Sequence, residues 1–233
     1  MARKRKKEKY NRKPRLLITK VKPKSPVSEQ YRTIRTNILF SAVDDDLKTL
    51  MFTSTAPGEG KTTTAANIAV VFAQQGKKVL LVDADLRKPT IHYTFNLMNI
   101  HGLTSVLTKR CTLEEAIEDG GVENLYVLTS GPIPPNPAEM LSSKAFEKFF
   151  ETVKEQFDLV IFDTPPILAV TDGQIIANKC DGTILVVSAG KTEKLAAKKA
   201  KELLLNAKGR LLGAILNNKK QDQTHYYYYH GAK

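Results

Sequence analysis

One octapeptide, Thr55-Ala56-Pro57-Gly58-Glu59-Gly60-Lys61-Thr62, constrains the fold more than any other stretch of this chain. It follows an apolar run, Thr49–Ser54, and opens an amphipathic one, Lys61–Gln75. That is the strand–loop–helix context of a phosphate-binding P-loop. Binding phosphate requires backbone N–H groups turned inward, and glycines at 58 and 60 permit the curvature. The helix that follows adds the positive end of its dipole. Pro57, Gly58, Glu59, Gly60, Lys61, Thr62 and Thr63 are therefore expected around a nucleotide. Lys61 would reach the β- and γ-phosphates, and the Thr62 hydroxyl would ligate magnesium. Thr55 stands where the generic pattern has its first glycine, so the motif is a deviant Walker sequence. A Gly-rich turn ahead of an ordinary helix is the alternative.

Further along, short apolar runs alternate with longer amphipathic ones. Strands are expected at Thr49–Ser54, Lys78–Asp83, Leu125–Ser130, Asp158–Asp163, Thr183–Ser188 and Leu211–Asn217, and helices at Lys61–Gln75, Thr112–Ile117, Ser143–Gln156, Asp172–Lys179 and Thr192–Ala207. An earlier helix spans 28–43, with Ser28 as its N-cap. Gly76 suits a helix C′ position, and Thr112 with Glu115 matches a capping box. Runs such as Val79–Val82 and Leu159–Phe162 are apolar without alternation, as strands are when helices cover both faces of a parallel sheet. The expected fold class is α/β, a doubly wound, mainly parallel sheet of the P-loop NTPase kind.

Two acidic motifs close expected strands, where a doubly wound sheet places its ligand crevice. One is Asp83-Ala84-Asp85-Leu86-Arg87; the other is Asp163-Thr164-Pro165-Pro166. A carboxylate at such a strand end holds magnesium or its water shell. Sequence order gives that role to Asp163. A pair such as Asp83/Asp85, at i and i+2, can divide work between metal and proton acceptor; the expected mechanism makes Asp85 a metal ligand and Asp83 the base. Aspartates that merely cap turns or helices are the alternative.

The charge is uneven. Of the net +12, residues 1–15 carry +8, nine basic residues against Glu8, so the remainder is only mildly basic. Residues 1–27 read as a basic, Pro-punctuated flexible arm, residues 28–218 as the folded domain, and 219–233 as a polar flexible tail. The arm suits anionic lipid, nucleic acid or plain solvation; no specific nucleic-acid partner is expected. Cys111 and Cys180 stand far apart, without CxxC or His pairing, as in a reducing compartment. No apolar run approaches the roughly 18 residues that span a bilayer, and no secretory h-region follows the basic start. Four consecutive tyrosines, Tyr226–Tyr229, sit in the tail, where packing gives them no role. They read either as adhesive contacts or as phosphate acceptors. From Asn217 to Tyr226 is nine residues, a reach of roughly 30 Å when extended.

Taken together, the P-loop, the DxDxR segment Asp83–Arg87, Asp163-Thr164-Pro165-Pro166 and the tyrosine cluster resemble the bacterial tyrosine kinases known as BY-kinases. Glu29-x-x-Arg32-x-x-Arg35 is similar to that family's oligomerisation motif, and Ser130–Pro137 looks like a family loop. The resemblance runs from about residue 22 to the end. It implies ATP with Mg2+ as cofactors and autophosphorylation of Tyr226, Tyr227, Tyr228 and Tyr229. It also implies a homo-oligomer joined through Glu29, Arg32 and Arg35; from spacing alone a solvated helix face stands beside it, because i to i+6 drifts around the helix. The stand-alone cytoplasmic type is implied, recruited to the inner face of the plasma membrane by a separate membrane-anchored activator and opposed by a tyrosine phosphatase, with other protein substrates open. The process implied is capsule or exopolysaccharide synthesis. Related P-loop ATPases place an adenine-contacting residue at the position of Asn217, for which a strand-end turn is the alternative. The rival functions are a MinD/ParA-like positioning ATPase and a nucleotide-gated scaffold. The former carries a second lysine where this chain has Ala56.

Overall fold

The computed structural model describes residues 17–41 and 46–220. Seven strands form one sheet: β1 Thr49–Ser54, β2 Val79–Asp83, β3 Ile117–Asp119, β4 Leu125–Leu128, β5 Leu159–Asp163, β6 Gly182–Ser188 and β7 Leu211–Asn217. Their order is β3-β4-β2-β5-β1-β6-β7, and every pairing is parallel except β3 with β4. The chain leaves β1 and returns as β2 two places away, with β5 inserted between them. Beyond the C-terminal ends of these three strands lies the crevice that a doubly wound sheet offers a ligand.

The non-alternating apolar runs have a direct cause. Leu50, Phe52, Leu81 and Ile161 pack on one face of the sheet, while Met51, Leu80, Val82 and Phe162 pack on the other. All are fully buried. Helix α8, Lys144–Gln156, lays Phe146, Phe149, Phe150 and Val153 on the second face. Helix α3, Lys61–Ala73, lies on the first face, and of its residues only Thr63 is not buried. It is thus not amphipathic, as its sequence suggested: a helix apolar all round is one enclosed on every side.

What encloses α3 is the chain that precedes β1. Residues 17–27, expected within a flexible arm, are folded: α1, Ile18–Val21, leads into α2, Pro26–Phe40. The fully buried Thr19 bonds Asn67 of α3 through both its N–H and its hydroxyl, at 3.1 and 2.8 Å. Ser25, not Ser28, is the N-cap of α2, its hydroxyl accepting from the Ser28 N–H, with Pro26 at the first helical position. Ser28 is buried instead, donating to the Lys22 carbonyl at 2.8 Å.

Elsewhere α6, Leu113–Ala116, starts on the expected capping box of Thr112 and Glu115. It ends at the edge strand β3, where the sequence had suggested more helix. The short helices α4 Ile91–Phe95, α5 Leu103–Leu107 and α7 Pro137–Leu141 were not expected, whereas α9 Asp172–Ala177 and α10 Lys194–Asn206 were. Among the described residues no helix is long and apolar enough to cross a membrane. The basic residues 3–15 and Tyr226–Tyr229 lie outside the described residues.

Candidate active site

The P-loop joins β1 to α3 as the sequence implied. Gly58 and Gly60 take φ of +80° and +94°, a region costly to other residues. A Cβ at Gly60 would lie 2.1 Å from the Asn217 side-chain nitrogen, so glycine is required there twice over. No side chain caps α3, which leaves its first-turn N–H groups available to an anion. Ala56, Pro57 and Gly58 are exposed at the tip of the loop, and Thr63 is half-buried behind it.

The side chain of Glu59, a residue expected at the nucleotide, braces the loop itself. Its buried carboxylate folds back on the loop, accepting from the N–H groups of Thr55 and Ala56 at 2.7 and 3.0 Å and from the Thr55 hydroxyl at 2.7 Å. The Thr192 hydroxyl, in the turn between β6 and α10, donates to it as well. This explains the missing first glycine: the Thr55 side chain is held by the loop's own carboxylate. Asn217, at the end of β7, donates from its amide to the Glu59 carbonyl at 2.9 Å. The loop is thus braced from two neighbouring elements.

Lys61, Thr62, Asp83, Asp85 and Asp163 converge. Asp83 and Asp163 are register partners at the ends of β2 and β5. The Lys61 ammonium lies 3.1 Å from Asp163 Oδ1 and 3.3 Å from Asp85 Oδ2. The Thr62 hydroxyl donates to Asp163 Oδ2 at 2.6 Å. Asp83 faces the segment after β2: its Oδ2 accepts from the Thr90 and Ile91 N–H groups at 3.0 and 2.9 Å, and its Oδ1 from the Asp85 N–H at 3.3 Å.

Burial drives the protonation equilibria here. It raises the Asp83 pKa to about 7, aided by the charge of Asp163 and opposed by the Ile91 N–H and Lys61. Asp163 also lies above the usual carboxylate range because it is buried, although Lys61 and Thr62 pull against that. Burial alone would lower the pKa of Lys61, but the charges of Asp163, Asp85 and Asp83 outweigh it and the net shift is upward.

Several contributors had no separate signal in the sequence. The Thr90 hydroxyl stands 3.4 Å from that of Thr62. Arg87, part of the DxDxR segment, makes a two-pronged pair with the fully buried Asp172 at the start of α9, both contacts at 2.9 Å. That pair ties the segment after β2 to the segment after β5 and raises the Arg87 pKa. Asp172 is an unremarked helix-start aspartate in the sequence, since only the tertiary fold supplies its partner.

A magnesium ion fits these donors. Thr62 Oγ1, Asp85 and Asp163 are hard oxygen ligands already grouped around a cation, the Lys61 ammonium. Among the described residues no three His, Cys, Asp or Glu side chains form a self-sufficient metal cage. Magnesium accepts that arrangement, taking one or two carboxylates and completing its shell with phosphate and water.

Glu29, Arg32 and Arg35, the residues expected to join subunits, lie elsewhere. Glu29 and Arg32 pair with each other on the outer side of α2. Arg35 turns inward, its Nη1 donating to the Val71 carbonyl near the C-terminal end of α3 at 2.9 Å. Ten residues of helix, about 15 Å, separate Val71 from Lys61 and the site.

Comparison with known proteins agrees with this geometry. A family model described as an AAA domain matches residues 47–208. The chain is 58% identical over 227 residues to the tyrosine-protein kinase YwqD of Bacillus subtilis (strain 168), covering 97% of this chain and 96% of that one. Among solved structures, the chimerical protein CapA2B2 superposes with a TM-score of 0.85 at 46% identity, over 88% of this chain and 90% of that one. The septum site-determining protein MinD of Pyrococcus horikoshii, complexed with Mg-ADP, is more distant, with a TM-score of 0.64 at 25% identity over 76% of this chain and 72% of its own. The site is that of a nucleotide-binding P-loop enzyme, and the chain belongs to the bacterial tyrosine kinases, the BY-kinase family.

Proposed function

We propose that this site binds ATP with magnesium and transfers the γ-phosphoryl group to the tail tyrosines Tyr226–Tyr229, in the same chain or a second copy. Lys61 and the N–H groups of the P-loop hold the phosphates, and Asn217 borders the adenine. Thr62, Asp85 and Asp163 hold the magnesium, which offsets phosphate charge when bound. The tyrosine oxygen forms a bond to the γ-phosphorus, the bond from that phosphorus to the β–γ bridging oxygen breaks, and ADP departs. The phenolic proton passes to Asp83.

The observation that carries this reading is a division of labour among three carboxylates. Lys61 bonds Asp163 and Asp85, and Thr62 bonds Asp163. Asp83 takes only backbone N–H groups, one of them long, so a lone pair on its Oδ1 remains for a proton. The surroundings belong to the same proposal: a homo-oligomer joined through Glu29 and Arg32, and a separate membrane-anchored activator that recruits the kinase to the inner face of the plasma membrane. The chimerical CapA2B2 relative supports a partner of that kind. A tyrosine phosphatase would reset the tail, further protein substrates are accommodated, and the process regulated is capsule or exopolysaccharide synthesis.

Incubating the full chain with γ-labelled ATP, with and without magnesium, and mapping the product tests the reading. Phosphate is expected on Tyr226–Tyr229 and only with magnesium. Hydrolysis of ATP with no phosphotyrosine would favour the positioning-ATPase reading instead.

A further inference from the structure

The turn between β6 and α10 brings a second ammonium to the P-loop. A Cβ built on Gly58, at the exposed tip of the loop, would lie 3.4 Å from Lys191 Nζ. Lys191 is exposed and forms no ion pair among the described residues. An unpaired lysine on a surface ordinarily samples many rotamers, which costs it affinity for any ligand. Here the backbone beneath it is fixed. The Lys191 N–H donates to the Ser188 carbonyl at 3.1 Å, and the next residue, Thr192, donates its hydroxyl to Glu59 within the loop itself. The Thr192 hydroxyl also accepts from the Ser188 N–H at 2.8 Å, and Ala189 N–H bonds the Asn217 carbonyl at 2.8 Å. Glu59 therefore ties the base of Lys191 to the loop that its ammonium overhangs.

Charge gives that ammonium work to do. Lys61 already faces the carboxylates of Asp85 and Asp163, with Asp83 close behind, so the built-in charge of the crevice is negative. A nucleoside triphosphate entering it brings more negative charge than one magnesium ion cancels. A cation at the opposite, solvent-facing side of the loop offsets part of the remainder without competing for the metal's ligands.

We propose that Lys191 is a nucleotide-binding residue, closing on the bound nucleoside di- or triphosphate from the β6–α10 turn, with Thr192 and Glu59 as the residues that position it. This rests on the nucleotide-binding reading of the P-loop and adds a ligand to it. Because the contact is made to a group present before and after transfer, it contributes to binding and not to the chemical step.

The test is titration of the full chain with a fluorescent ATP analogue and the matching ADP analogue, in magnesium, for wild type, Lys191→Ala, Lys191→Arg and Lys61→Ala. Lys191→Ala is expected to weaken both nucleotides about tenfold, the loss of one charge-assisted hydrogen bond, with kcat at saturating ATP changed less than about twofold. Lys191→Arg should recover most of the affinity, and thermal melts should match, since the residue is exposed. Equal affinities for wild type and Lys191→Ala, or a kcat that falls while affinity holds, overturn the proposal. Failure of the parent reading looks different: wild type itself would not bind, or Lys61→Ala would bind as well as wild type.

Discussion

Asp83, Asp85 and Asp163 set three carboxylates against the one ammonium of Lys61, and the excess has a consequence for stability. The folded pKa of Asp83, about 7, lies above its ordinary 3.8, so the native state holds a proton that the unfolded chain releases. Stability contributed by that proton is present in acid and is lost as pH rises toward and through 7. In magnesium- and nucleotide-free buffer the thermal midpoint should therefore fall between pH 5 and pH 8. Asp83→Asn should flatten that fall by about 2–3 kcal/mol, leaving the part due to Asp163, whose shift has the same direction. Melting curves at both pH values check this, and identical slopes for variant and wild type would contradict it. Lys61, Thr62, Asp83 and Asp163 were legible in the sequence because each ends an apolar run or opens a helix, and Asp85 because it stands two residues beyond such an end. Their supports were not: Glu59 read as a loop residue but braces the loop from within, and Thr192 and Asp172 gain meaning only from partners 133 and 85 residues away.

Elements were legible where burial imposes a pattern and illegible where it does not. β1, β2 and β5 are buried at every position, and Val79–Val82 of β2 and Leu159–Phe162 of β5 showed as unbroken apolar runs. β3 is three residues long, half-exposed and at the sheet edge, so it left no such trace. Helix α1 was hidden because its packing rests on a polar residue, Thr19, bonded to Asn67. Helix α2 shows why spacing alone could not assign the Glu29, Arg32, Arg35 motif. Two of its members face outward and the third grips α3. The structure separates two kinds of loss. Glu29→Ala with Arg32→Ala removes an exposed pair worth about 0–1 kcal/mol, so the thermal midpoint should barely move while the assembly mass by light scattering falls. Arg35→Ala removes a partly buried bond to Val71 and should lower stability by about 1–2 kcal/mol on its own. An unchanged mass in the double variant would return Glu29 and Arg32 to a solvated face.

At the scale of the whole molecule, the fold places the exit of the chain beside its own active site. β7 ends at Asn217, which bonds the P-loop, and the tyrosines begin nine residues later. An extended chain of that length spans roughly 30 Å, enough on the proposed function for the tyrosines to meet the nucleotide of the same copy or a neighbour. If the tail is the acceptor, each phosphate would add about −1.5 to −2 charges, and the expected outcome is that a phosphorylated tail is repelled by the three carboxylates and the nucleotide. In the proposed function Lys61 and its carboxylates perform this transfer. The most direct measurement is phosphotyrosine formed on Tyr226–Tyr229 by wild type and by Lys61→Ala, each incubated with magnesium and ATP, with circular dichroism as the control for folding. Loss of at least about 100-fold in a folded variant is the expected result, the size typical of removing one electrostatic contact to a transferring group. Undiminished phosphotyrosine in folded Lys61→Ala would contradict the account.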